Sequence, residues 1–86
     1  MYEIIFDEKA IEFLEKLDHA EKKRIFEKIV STKEKPLHYF DHLTERSEYK
    51  LRIGNYRAIA DINEKKKTIT ILIIGHRKNI YKKYIK

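Results

Sequence analysis

The chain has 86 residues, a formal net charge of +6 and 40% charged residues, enough for a single domain over residues 1–86 with one modest core that buries about 60–65% of the unfolded surface. It contains no cysteine, which excludes a disulfide framework, thiolate chemistry and a cysteine metal site. The longest apolar run, ILIIG, is far too short to cross a bilayer, and the opening MYEIIFDEK lacks the basic and apolar regions of a signal peptide, so a soluble cytoplasmic protein with no membrane partner is expected.

In chain order, YEIIF at residues 2–6 reads as a short strand. Asp7 is placed to cap a helix that carries Ala10, Ile11, Leu14 and Leu17 on one stripe and ends near Leu17. Asp18 caps a second helix, with Glu21 completing an Asp-x-x-Glu capping box and with Ile25, Phe26, Ile29 and Val30 as the buried face. So short a link predicts a helical hairpin. The second helix must stop before Pro36, because the residue ahead of a proline is pushed out of the α region. Residues 36–47, PLHYFDHLTERS, read as a connecting loop. His38 and His42 have the i, i+4 spacing of a metal pair, but HYFDH lacks a glutamate after the first histidine. No cofactor is expected.

The segment YKLRIGNYRAIADI at 49–62 alternates around Gly54-Asn55, the signature of a two-residue β-hairpin. With that turn, Ile53 faces Tyr56, Arg52 faces Arg57, Leu51 faces Ala58 and Lys50 faces Ile59. Period-2 geometry then collects Lys50, Arg52 and Arg57 on one face. Like charges directly opposite each other destabilise a sheet by roughly 0.2–1 kcal/mol, so an anionic ligand is expected to offset them. TITILIIGHR at 68–77 reads as a strand buried on both faces. If Ile62 stands opposite Thr68, Arg57 faces Ile73, and the same face runs through Gly75 to Arg77, leaving Ile69, Ile71 and Ile73 beneath the basic patch. Asp61 shares that face as a partial counter-charge. The tail NIYKKYIK reads as a last helical turn or a short strand. The order β-α-α-β-β-β predicts an α+β fold, an antiparallel β-sheet with the N-terminal strand and helical hairpin packed on one face.

The charge is lopsided. Residues 1–43 carry eight Lys/Arg and ten Asp/Glu, whereas residues 44–86 carry twelve and four; the basic half holds the hairpin, which points to nucleic acid or an acidic protein partner.

YKLRIGNYRAIADI followed by ITILIIGHRKNIYKKY, behind a strand and a helical hairpin, resembles the RelE/ParE superfamily of toxins, and the RelE ribonuclease branch more than ParE. The resemblance covers essentially the whole chain, and LRIGNYR and IGHRKNIY are its most specific elements. It implies the toxin of a type II toxin–antitoxin system, a messenger RNA endonuclease acting in the ribosomal A site and silenced by an antitoxin of the RelB kind. Residue by residue it implies catalytic roles for Lys50, Arg52, Arg57, Arg77 and Tyr81, with His76 a further acid or base, and RNA contact through these cations together with Lys78 and Lys82. Arg52 stands where some members have lysine, which keeps the charge and removes a titratable amine.

That chemistry is sound on its own terms. A ribonuclease without metal can use the substrate's 2′-OH as nucleophile on the adjacent phosphate, with the protein holding the geometry and stabilising the added negative charge. Arginines stay protonated and bind phosphate in bidentate fashion, which suits Arg57 and Arg77 to the scissile phosphate. Lys50 is placed to take the 2′-OH proton, and Tyr81 to donate to the departing 5′-oxygen or stack on a base. Each residue also has a structural reading: a solvated hairpin for the arginines, a packed tail with Ile80, Tyr84 and Ile85 for Tyr81, a structural role for His76. A ParE-like toxin directed at a topoisomerase and a non-catalytic RNA- or protein-binding module are the alternative functions.

Overall fold

The computed structural model describes residues 1–83, and the helices form where the capping and apolar spacing place them. After strand β1 (Glu3–Phe6), Asp7 adopts the extended conformation of an N-cap, with no side-chain capping bond, and α1 runs over Glu8–Glu15 with Ala10 and Leu14 buried one turn apart. Helix α2 spans His19–Val30, and the Asp18 carboxylate accepts the Glu21 N–H at 2.9 Å. Ile25 and Ile29 are buried as expected. Phe26 is not: it remains 48% exposed, its ring stacked on Phe6 at 5.7 Å between centroids. Ile11 is likewise exposed. On a short helix against a sheet, only the central rows of the apolar stripe reach the core, and the flanking positions stay at its margin.

Residues 36–47 hold more order than a connecting loop. A 3-10 turn at Pro36–His38 leads into β2 (Asp41–His42), a two-residue edge strand that pairs antiparallel with β3 (Tyr49–Ile53), Asp41 opposite Lys50 and His42 opposite Tyr49. No alternation can announce so short a strand. Strand β3 pairs with β4 (Tyr56–Asn63) in the register read from the Gly54-Asn55 turn, from Ile53↔Tyr56 to Lys50↔Ile59. Gly54 takes φ +57°, the left-handed value a primed hairpin turn asks of its first central residue.

The next register differs from expectation. Strand β5 (Thr68–His76) pairs with β4 so that Asn63, not Ile62, faces Thr68, because the turn is the four residues 64–67, tied by the Asn63 side chain accepting the Lys66 N–H at 2.9 Å and closed by Lys67 at φ +56°. A bulge between Ile59 and Ala60 then shifts the register once more, so Arg57 faces Gly75 rather than Ile73. The two one-residue shifts add to two, which restores the side-chain parity beyond the bulge while reversing it before the bulge. Ile69 and Ile71 consequently face the helices, not the basic patch.

The sheet order is β1-β5-β4-β3-β2. β1 runs parallel to β5, from Glu3↔Thr68 to Phe6↔Ile71, so the sheet is mixed rather than wholly antiparallel. A parallel pair requires a long crossover, and here almost the whole chain separates the two strands. Between α1, α2 and the sheet lies the main core of Ala10, Leu14, Ile25, Ile29, Phe40, Leu51, Ile53, Ala58, Ala60, Ile69, Ile71 and Ile74. On the opposite face a smaller cluster of Leu43, Ile59 and Ile80 is flanked by Leu72 and Ile73. Ile80 belongs to α3 (Arg77–Lys83), the helical form of the tail, and a Cβ on Gly75 would lie 3.0 Å from its Cγ1. Glycine at that point of β5 is what lets α3 lie against the sheet. No helix among the described residues is long and apolar enough to cross a membrane.

A candidate nucleic-acid interface around the hairpin turn

The turn at Gly54-Asn55 draws groups from several elements. In the β3–β4 ladder Arg52 stands directly opposite Arg57, and Lys50 follows on the same face two residues along β3. Arg52 is exposed and Lys50 half-buried. Arg57 is only 5% exposed, and its Nη1 donates to the carbonyls of Gly54 at 2.8 Å and Tyr56 at 2.7 Å. A buried guanidinium held by turn carbonyls both braces the hairpin and fixes a positive charge inside the face, where lower dielectric strengthens its field.

Arg77 reaches this place by a different route from the one expected. It is the first residue of α3, not a continuation of β5, and its backbone N–H donates to the Asn55 carbonyl at 2.8 Å. That bond sets the start of α3 beside the turn, so Arg77, exposed, joins Arg52 and Arg57 there. Lys78 and Lys82 are exposed on the same helix. The backbone of Tyr81 lies in α3, while its side chain and residues 84–86, including Tyr84 and Ile85, lie outside the described residues.

His76 is placed elsewhere. Opposite Tyr56 on β4, it shares the face that carries Ala58 and Ile74, the helix-covered one, and its ring meets the edge of Tyr56 at 6.0 Å between centroids. Its Nδ1 accepts the Lys78 N–H at 3.4 Å, a long contact at the start of α3. An acid or base role alongside Lys50 and Arg52 is therefore not supported for His76. Its position traces to strand parity, since it is one residue removed from Gly75 on the basic face.

Two residues of this surface escape sequence reasoning. Arg24 of α2 lies against the turn on the helix side, where a Cβ on Gly54 would sit 2.5 Å from its Nη2. Nothing in a helical Lys/Arg run marks one member as reaching a distant turn. Asp41 is the other: β2 puts a carboxylate opposite Lys50. Close by, the Tyr56 hydroxyl donates to Glu21, which together with burial raises the tyrosine's pKa above its ordinary value. Helix α2 thus meets the hairpin at its turn, with Glu21 beside Tyr56 and Arg24 beside Gly54. Among the described residues, no group of three or more His, Cys, Asp or Glu is arranged to hold a metal ion, and His38 and His42 fall on separate elements.

The fold is similar to the toxin–antitoxin complex RelBE2 from Mycobacterium tuberculosis, at 25% identity and a TM-score of 0.81 over 88% of this chain and 98% of that one. It is also similar to the archaeal RelE–RelB complex from Pyrococcus horikoshii, at 25% identity and a TM-score of 0.73 over 88% and 94%. For the intact RelBE complex of Escherichia coli, at 24% identity and a TM-score of 0.73, the likeness is one of fold. Comparison with curated proteins gave no match. The family model for the ParE toxin of type II toxin–antitoxin systems matches residues 4–81, and the chain belongs to this toxin family, within the RelE/ParE superfamily and with a RelE-like fold.

Proposed function

We propose that the chain is a metal-independent endoribonuclease that cuts messenger RNA in the ribosomal A site, and that an antitoxin with an acidic segment holds it inactive. The observation that carries this reading is the convergence at one turn of Arg52, Arg57 and Arg77, two of them exposed and one fixed from within. A phosphate that gains negative charge as the 2′-oxygen attacks is the ligand best matched to fixed guanidinium groups. Arg52 and Arg77 contact the phosphate, Arg57 contributes its charge and holds the turn, and Lys50, Lys78 and Lys82 bind neighbouring backbone. The 2′-oxygen displaces the 5′-oxygen, Tyr81 is the donor assigned to that leaving group, and the products carry a 2′,3′-cyclic phosphate and a 5′-hydroxyl. Several of the solved relatives, among them those from Mycobacterium tuberculosis and Pyrococcus horikoshii, are toxin–antitoxin complexes, which supports the partner half of the reading.

A second reading has one specific support. The matching family model is that of ParE toxins, which favours a toxin that inhibits a topoisomerase. One experiment separates them: purified protein is given programmed ribosomes in one assay and a topoisomerase with supercoiled DNA in another. Cleavage at the A-site codon with 5′-hydroxyl ends supports the nuclease. Loss of topoisomerase activity without RNA cleavage would establish the other.

A further inference from the structure

A 2′-hydroxyl needs a proton acceptor as it attacks, and the hairpin residues that the sequence reading assigns to the phosphate and its 2′-OH, Lys50, Arg52 and Arg57, are all cations. An arginine cannot serve, and an ammonium accepts a proton only after losing its own. We propose that Asp41 is the catalytic base of this site, an inference that rests on the nuclease reading.

The placement is topological. β2 sets Asp41 directly opposite Lys50, and cross-strand partners carry their Cβ atoms roughly 4.5–5.5 Å apart. Arg52, two residues along β3, is its diagonal neighbour on the same face. Two residues further along, Leu43 returns to that face and is buried against Ile59 and Ile80, so α3 and the β2 segment meet on one side of the basic patch. Asp41 itself is exposed, and its carboxylate makes no hydrogen bond or ion pair with any described residue; Arg46–Glu48 is the ion pair found among those residues. The carboxylate is open to substrate on a face otherwise given to binding anions. Asp61 shares the face on β4, but it is diagonal to Lys50 alone and stands four residues, roughly 13 Å, from Arg57.

In the step assigned to it, Asp41 takes the 2′-OH proton while the O2′–P bond forms. The P–O5′ bond breaks, O5′ takes a proton from Tyr81, and solvent restores both side chains. No oxidant, metal or further reactant enters.

Electrostatics and catalysis predict opposite signs here, which makes the test sharp. If Asp41 only dilutes the positive field, Asp41→Asn removes a repulsion and RNA cleavage holds or accelerates. If it is the base, Asp41→Asn lowers the single-turnover cleavage rate on programmed ribosomes by about 100-fold or more, while ribosome affinity holds or tightens. The acidic limb of the pH–rate profile disappears in Asp41→Asn and is retained in Asp41→Glu, and Asp61→Asn stays within about threefold of wild type. Thermal unfolding of each variant reports that the fold is intact. An Asp41→Asn rate within threefold of wild type, with Arg77→Ala inactive, overturns the role of Asp41 and leaves the nuclease reading standing. A wild-type protein that cuts nothing overturns both.

Discussion

Removing Arg57 tests whether the basic face is built or merely decorated. Its Nη1 serves two carbonyls, those of Gly54 and Tyr56, at 2.8 and 2.7 Å, from a side chain 5% exposed. A hydrogen bond to a charged group contributes about 1.5–3 kcal/mol. Because one nitrogen makes both bonds, and water can reach carbonyls at a turn, Arg57→Ala should cost about 2–4 kcal/mol rather than their full sum. A domain of this size has a total stability of roughly 4–13 kcal/mol, so the loss is a large share of the total, and the Tm should fall by about 10–20 °C. Arg77→Ala keeps the backbone bond to Asn55 and truncates an exposed side chain, so its stability should change by no more than about 0.5 kcal/mol. Both should lower the single-turnover cleavage rate by about 10²–10³. The assay is denaturant unfolding for stability and cleavage on programmed ribosomes for chemistry, on the same preparations. A stability loss for Arg57→Ala below about 0.5 kcal/mol would refute the structural half of the argument.

Other perturbations probe the elements that set the site. Ile80→Ala removes the anchor of α3 from Leu43 and Ile59, and Gly75→Ala drives a methyl to 3.0 Å from Ile80 Cγ1; both should speed amide exchange in α3 and reduce cleavage with less loss of global stability than the roughly 2–5 kcal/mol of a main-core truncation. Ile25→Ala supplies that comparison by urea unfolding, and equal losses at the two places would show that α3 is no separate unit. Gly54→Ala meets both a left-handed φ of +57° and the Arg24 guanidinium, so it should destabilise by about 1 kcal/mol or more, read as a fall in Tm. The Tyr56 hydroxyl donates to Glu21, which raises its pKa; the stability this contributes is present below the ordinary tyrosine value and is lost as pH rises through the folded one. Tyr56→Phe should therefore be less stable than wild type at neutral pH by about 1 kcal/mol, with the gap closing in alkaline unfolding titrations.

Local chemistry was legible wherever it acts over a few residues. The Asp18 cap, the Gly54-Asn55 turn and the strict alternation on either side of it determine α2, the β3–β4 register and the pairing of Arg52 with Arg57, because a turn with one strained residue leaves a hairpin a single register. The resemblance to the toxin family was legible in LRIGNYR and IGHRKNIY, and the family model matches residues 4–81. The register of β5 was not legible: the length of the 64–67 turn and the bulge at Ile59/Ala60 are compromises between twist and packing on two faces, and a one-residue difference reverses a strand. That decision put Ile69 and Ile71 under the helices. Two other matters belonged to the tertiary structure alone. The parallel docking of β1 on β5 depends on the whole crossover, and the two-residue strand β2, which brings Asp41 to Lys50, has no pattern of its own and exists because β3 offers it an edge.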